Sequence, residues 1–280
     1  MQFFYTIIST ILPFSWLEPD FMKNAFLAVL LAAPLFGLLG SVVVSNQMAF
    51  FSDAIGHSAL TGIAIGVLLG IKNPLIAMIG FSLVLGAAII TVKFKGKTSA
   101  DTIIGVFSST SVALGIVLLS ATGNFAKYQR YLVGDILSIT PAEILQLLVS
   151  LVVLAAVFAL LYNKMLLTNM HSMFARSRGV KTFAIELTFA LLTAAIVTIS
   201  IRWTGLLVIN SLLVLPAASS RLVSRSARRY ILFSVCISLF SCVAGLALSW
   251  EIGSASGATI VIVNAAVFIV CLVIGIAKKI

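Results

Sequence analysis

Long runs of apolar side chains with almost no charge inside them constrain this chain more than any motif does. Nine such runs fall near residues 22–45, 50–70, 73–93, 99–121, 141–162, 181–201, 204–222, 229–250 and 257–276. Each approaches the roughly 20 residues that a helix rising about 1.5 Å per residue needs to cross a hydrocarbon layer about 30 Å thick. None alternates apolar and polar residues with a period of two, so helices are predicted and a barrel is not. A chain that is 61% hydrophobic and 9% charged could not present this surface to water. The predicted fold class is therefore all-α, a polytopic integral membrane protein with eight to nine transmembrane helices and no soluble domain. The count turns on two joints, Arg202-Trp203-Thr204 and the short Asn73-Pro74 hairpin.

The net charge of +10 raises the question of nucleic acid. Binding one would need a basic, aromatic-interleaved soluble face, which a chain of this pattern lacks, so no nucleic-acid partner is predicted. The basic residues report orientation instead. With the C-terminus in the cytoplasm, thirteen of the eighteen Lys and Arg residues fall in inner segments: Lys93, Lys95 and Lys97; Lys164, Arg176, Arg178 and Lys181; Arg221, Arg225, Arg228 and Arg229; and Lys278 and Lys279. The positive-inside rule favours that orientation, with the N-terminus outward and membrane lipid as the surrounding partner. Residues 1–21 have no Lys or Arg and carry Phe3, Phe4, Tyr5, Pro13, Phe14 and Trp16. They are expected to form an uncleaved interfacial segment, leaving 22–280 as the membrane domain. Cys236, Cys242 and Cys271 lack paired ligand spacing and are predicted to be small core residues.

Local signals mark helix starts. Thr140-Pro141-Ala142-Glu143 supplies a capping Thr, a first-turn Pro and a reciprocal Glu, and Ser99 with Asp101 opens the fourth run. Within the second run, Asp53 and His57 stand four residues apart and share one helix face. An ionisable pair inside an apolar helix marks a functional site by default. Carboxylate oxygen with imidazole nitrogen suits zinc, manganese or ferrous iron. One chain offers two such ligands on this helix, whereas two copies facing each other would offer four. The same residues could instead bond to each other, or to Ser52 and Ser58, and stitch helices together. Gly62, Gly66 and Gly70 recur every fourth residue as a packing stripe.

The inner segment 163–181, with His171, Arg176, Arg178 and Gly179, is long enough for a short helix along the membrane face, where either a partner or anionic lipid could dock. His171 has no second ligand nearby. Gly96-Lys97-Thr98 resembles the end of a phosphate-binding loop, but Thr91 stands where that motif needs glycine. The chain is thus not expected to hydrolyse ATP, and no cofactor is expected in it. Glu186 is predicted to reach back to Lys181, and Asp135 to lie at the outer surface. Pro216 removes a helix bond near mid-membrane, a kink that could serve gating or packing. A proton-coupled secondary metal transporter would use Asp53 and His57 as relays. An intramembrane metalloenzyme is disfavoured by the absence of His-Glu-x-x-His and of paired acids.

Four segments, MAFFSDAIGHSALTGIAIG at 48–66, SADTIIG at 99–105, YLVGDILSITPAEI at 131–144 and TGLLVINSLLVLPAASSRLV at 204–223, follow one another in an order and spacing that resemble the permease subunits of bacterial ATP-binding-cassette importers for zinc, manganese and ferrous iron. The 131–144 wording is closer to zinc permeases. One departure is Asn46-Gln47, where relatives often carry an Arg. The resemblance implies a homodimeric permease in the cytoplasmic (inner) membrane, two cytoplasmic ATP-binding subunits, and an extracytoplasmic metal-binding protein. It places Asp53 and His57 in the transport path. It makes 163–181 a coupling loop that engages the ATPase, with Arg176 and Gly179 as the positions to test.

Overall fold

The computed structural model describes residues 15–96, 98–121, 134–170 and 172–277. Among them every long element is a helix and no strand occurs. The order is α1 (Asp20–Ser45), α2 (Phe51–Leu68), α3 (Pro74–Lys95), α4 (Ala100–Ala121), α5 (Pro141–Met170), α6 (Ser172–Ser177), α7 (Thr182–Thr204), α8 (Leu206–Val223), α9 (Ala227–Ile252) and α10 (Ser256–Ala277). Eight of these, all but α6 and α8, are long and apolar enough to cross a membrane. At 18 residues, α8 is the ninth apolar helix and runs unbroken through Pro216. The all-helical, multi-span class and the eight-to-nine count both stand. Of the N-terminal segment, residues 1–14 lie outside the described residues, while Ser15–Leu17 forms a single 3-10 turn with Trp16 set edge-on to Phe26.

The helix starts follow from their capping chemistry. Asn73 accepts a hydrogen bond from the Leu75 amide at 3.1 Å, with Pro74 in the first turn of α3 where a missing amide hydrogen does no harm. The Ser99 hydroxyl accepts from the Thr102 amide at 3.2 Å. Ahead of α5, both the amide and the hydroxyl of Thr140 donate to the Glu143 carboxylate, at 2.8 and 2.7 Å. Between α7 and α8 the joint is one residue, Gly205, at φ 76° and ψ 160°. Only glycine occupies that region without strain.

The chain divides into two compact units. The first comprises Met1–Ser41, Asp135–Val153 and Trp203–Ile280. Within it α8, α9 and α10 pack on one another, with Gly245 so close to α10 that a Cβ there would fall 2.6 Å from the Ile260 Cα. Helix α1 meets α9 through the Ser234 hydroxyl, which donates to the Gly37 carbonyl at 2.8 Å, and through the Tyr230 hydroxyl, which donates to the Ser41 carbonyl at 3.2 Å. Of the three cysteines here, Cys242 and Cys271 are buried as expected, but Cys236 is exposed and so is not a core residue.

The second unit, Val42–Gly134 and Leu154–Arg202, holds the residues singled out as a site. Helix α2 packs against both α3 and α4. Val42, Met165, Ile185 and Phe189 form a buried apolar cluster at one end of the unit, joined by Phe158 and Leu161.

Candidate functional site

Thirteen of the eighteen residues of α2 are buried. Its sides are fixed by small-residue contacts. A Cβ at Gly62 would lie 2.7 Å from the Met78 Cα, and one at Gly66 would lie 2.6 Å from the Ala77 Cβ, so α3 touches α2 almost backbone to backbone. On the other side Thr61 donates from its hydroxyl to the Ser111 carbonyl of α4, and a Cβ at Gly115 would meet the Thr61 amide nitrogen at 2.9 Å. Gly70 does not continue this stripe, contrary to what its spacing predicts. It lies beyond the end of α2 with φ +68°, and a Cβ added there would meet nothing within 4 Å, so it serves the turn into α3.

Asp53 and His57 occupy the strip of α2 that these contacts leave open. Their side chains are 41% and 39% exposed, while the flanking Ser52, Ala54, Gly56 and Ser58 are buried. The His57 Nε2 stands 3.5 Å from the Asp53 Oδ1, longer than an optimal N–H···O hydrogen bond. Of the neighbouring serines, the Ser58 hydroxyl donates to the Ile55 carbonyl at 2.7 Å, and the Ser52 hydroxyl is buried without a hydrogen-bond partner. By their exposure the two residues present one carboxylate and one imidazole on a half-open face. Among the described residues no three of His, Cys, Asp and Glu gather into a metal-holding group. Two ligands are what the described part of the chain brings together, and a divalent ion would need the remainder from elsewhere.

The second candidate region is helical for most of its length. Helix α5 continues to Met170, and its 30 residues reach about 45 Å, well past a hydrocarbon core. Helix α6 then ends in a left-handed glycine: the Gly179 amide donates to the Arg176 carbonyl at 2.9 Å and the Val180 amide to the Ala175 carbonyl at 3.0 Å, with Gly179 at φ +74°. That pairing is a Schellman cap, which accounts for glycine at 179 on local grounds. Gly179 also borders a pocket of about 460 Å³ with Lys164, Arg178 and Lys181 on its walls. His171 lies outside the described residues.

Arg176 does not simply extend into solvent. Its Nε donates to the Thr182 hydroxyl at 3.3 Å, and its guanidinium carbon stands 4.7 Å from the centre of the Phe94 ring. Beside it Glu186 pairs with Lys93, whose Nζ donates at 3.0 Å, and not with Lys181. Residue 186 lies five positions after Lys181, about 140° around a helix axis, so the two cannot share a face. Sequence spacing held no sign of the partner on α3, or of Phe94 beneath Arg176. Asp135 is exposed and caps the turn Ile136–Ser138 by accepting from the Leu137 amide at 3.0 Å.

The family model described as the ABC 3 transport family matches residues 18–275. The high-affinity zinc uptake system membrane protein ZnuB of Haemophilus influenzae is 29% identical over 260 residues, covering 92% of this chain and 97% of that protein. The manganese import system permease protein ScaB of Streptococcus gordonii is 30% identical over 252 residues, covering 89% and 90%. Among solved structures, PsaBC from Streptococcus pneumoniae in complex with Fab superposes with a TM-score of 0.77 over 97% of this chain and 95% of the other, at 24% identity, a likeness of fold.

Proposed function

The chain belongs to the ABC 3 transport family, and from that premise we propose that it is the membrane-spanning permease subunit of an importer that carries a divalent transition-metal ion, zinc first and manganese or iron next, into a bacterial cytoplasm. The observation that carries this reading is the half-exposed carboxylate–imidazole pair on α2, in a chain whose relatives include named zinc and manganese permeases. Asp53 and His57 hold the passing ion transiently. A second copy of the chain contributes the same two residues, so four ligands of mixed oxygen and nitrogen character surround the ion and still release it. The ion is cargo, and the chain needs no resident cofactor for this task.

Energy comes from ATP on two copies of a separate cytoplasmic subunit, which engages the 163–181 segment where Arg176 and Gly179 lie. An extracytoplasmic binding protein delivers the ion at the opposite side. The C-terminus and the basic segments face the cytoplasm, in keeping with the positive-inside rule. Pro216 is a candidate for bending α8 during the transport cycle.

Growth of a metal-uptake-deficient bacterium carrying the whole transporter tests the site. Asp53→Ala and His57→Ala, each expressed at the wild-type level, are expected to abolish growth at limiting zinc, or at limiting manganese or iron for a transporter of those ions, and to recover it in excess metal. Normal uptake by both variants would return the pair to a packing role. Metal movement by the purified chain alone, in liposomes with a proton gradient and no ATPase, would overturn the importer reading.

A further inference from the structure

We infer that Arg176 works inward, as a clamp that fixes α6 to the paired helices α3 and α7, and that Phe94 is the surface through which a push on α6 reaches the helix carrying Asp53 and His57. This rests on the reading of the 163–181 segment as the place where the ATPase engages. Four contacts tie α3 and α7 along their length. Lys93 pairs with Glu186 at 3.0 Å, Phe94 meets Phe183 edge-on at 5.2 Å, the Thr198 hydroxyl donates to the Ser82 hydroxyl at 2.8 Å, and a Cβ at Gly86 would sit 3.6 Å from the Ala194 Cβ. Polar and aromatic ties at one end and a close small-residue contact farther along hold two helices as one body.

Arg176 sits on the seam between them. Its planar guanidinium lies over the Phe94 ring of α3 while its Nε donates to Thr182, the first residue of α7. Arginine alone supplies a flat cation that stacks on a ring and still directs a fixed donor sideways. The Schellman cap at Gly179 closes α6 within three residues of this contact, so little slack separates α6 from Thr182. From α3 the route to the ion is short. The position of a Cβ on Gly86 is 3.4 Å from the Phe51 ring, two residues before Asp53, and Met78 and Ala77 bear on Gly62 and Gly66 beyond His57. Displacing α6 must therefore move α3 and α7, and α2 with them, or break the Arg176–Phe94 contact.

Complete transporter in proteoliposomes, with ATPase subunit and binding protein present, tests this by the ratio of metal taken up to ATP hydrolysed, measured with zinc, with manganese and with ferrous iron in separate runs. Arg176→Gln and Phe94→Leu are each expected to lower that ratio about three- to ten-fold, the size of a cation–π contact, with hydrolysis continuing and the ATPase subunit co-purifying at its normal proportion. The double variant is expected to be no worse than either single one, and Phe94→Trp, which keeps an aromatic face, to hold the wild-type ratio. Loss of the ATPase subunit from the Arg176→Gln complex would overturn the clamp, because the side chain would then be a direct contact to the partner. A wild-type ratio in Phe94→Leu would overturn it too. Failure of the wild-type complex to move zinc, manganese or ferrous iron with ATP would instead sink the importer reading.

Discussion

Glu186 and Lys93 illustrate what a single residue decides in this fold. The two side chains are 18% and 21% exposed, so the ion pair is partly shielded from water and stronger than a surface pair. Glu186→Gln leaves the Lys93 ammonium with a neutral partner and is expected to cost about 1–3 kcal/mol, read as an earlier unfolding transition in detergent. Replacing both at once, Lys93→Met with Glu186→Leu, removes the need to desolvate either charge and is expected to recover most of that loss. A double variant less stable than Glu186→Gln would mean that the charges serve something other than each other. The pair also shows where one-dimensional reading ends. Glu186 was legible as a buried acid near a helix start, and Lys181 was the nearest cation along the chain. The true partner is 93 positions away, and nothing in either segment records that meeting. The same holds for Arg176 above Phe94, whereas Asp53 and His57 were legible because both lie on one turn of one helix.

At the scale of elements, glycines set how closely helices approach and how sharply they join. Gly62→Ala forces a methyl to within 2.7 Å of the Met78 backbone, so α2 and α3 must separate, at an overpacking cost of about 1–3 kcal/mol. Gly205→Ala places a side chain at φ 76° and ψ 160°, a conformation that costs about 1–3 kcal/mol for any residue but glycine. Both variants are expected to lower the melting temperature in detergent. Gly66→Ala brings a methyl to 2.6 Å from the Ala77 Cβ, an atom fixed to the backbone, and is expected to lower it about as much as Gly62→Ala, whereas an unchanged melting temperature in both would mean the α2–α3 contact is not the close one described. Helix starts were readable to within a residue or two at Asn73-Pro74, Ser99 and Thr140, since each cap is a local hydrogen bond made by neighbours in sequence. The end of α5 was not. Hydropathy falls near residue 162, while Lys164, Met165 and the two leucines after it favour a helix that simply continues, with Met165 buried against Val42, Ile185 and Phe189.

For the molecule as a whole, the sidedness of the membrane turns on α8, the 18-residue helix that the eight candidate spans leave over. Helix α7 runs 23 residues, about 34 Å, so Lys181 before it and Arg202 near its end belong on opposite faces of the layer. After the one-residue joint at Gly205, α8 has a length of about 27 Å, enough to return across a hydrocarbon core with Arg225 on the far side. A crossing α8 puts Arg178 and Arg225 together, in the compartment that the excess of Lys and Arg marks as cytoplasmic, and Arg202 with Asp135 outside. Single cysteines at these four positions, in a chain whose Cys236, Cys242 and Cys271 have been replaced by serine or alanine, read this out with a membrane-impermeant maleimide. Asp135→Cys and Arg202→Cys are expected to react in intact spheroplasts, and Arg178→Cys and Arg225→Cys only after lysis. Labelling of Arg202→Cys and Arg225→Cys from the same side would make α8 a helix that enters and leaves by one face. In that case the C-terminus would lie outside, against the charge distribution, and the proposed ATPase subunit could not share a compartment with both α6 and Lys278-Lys279.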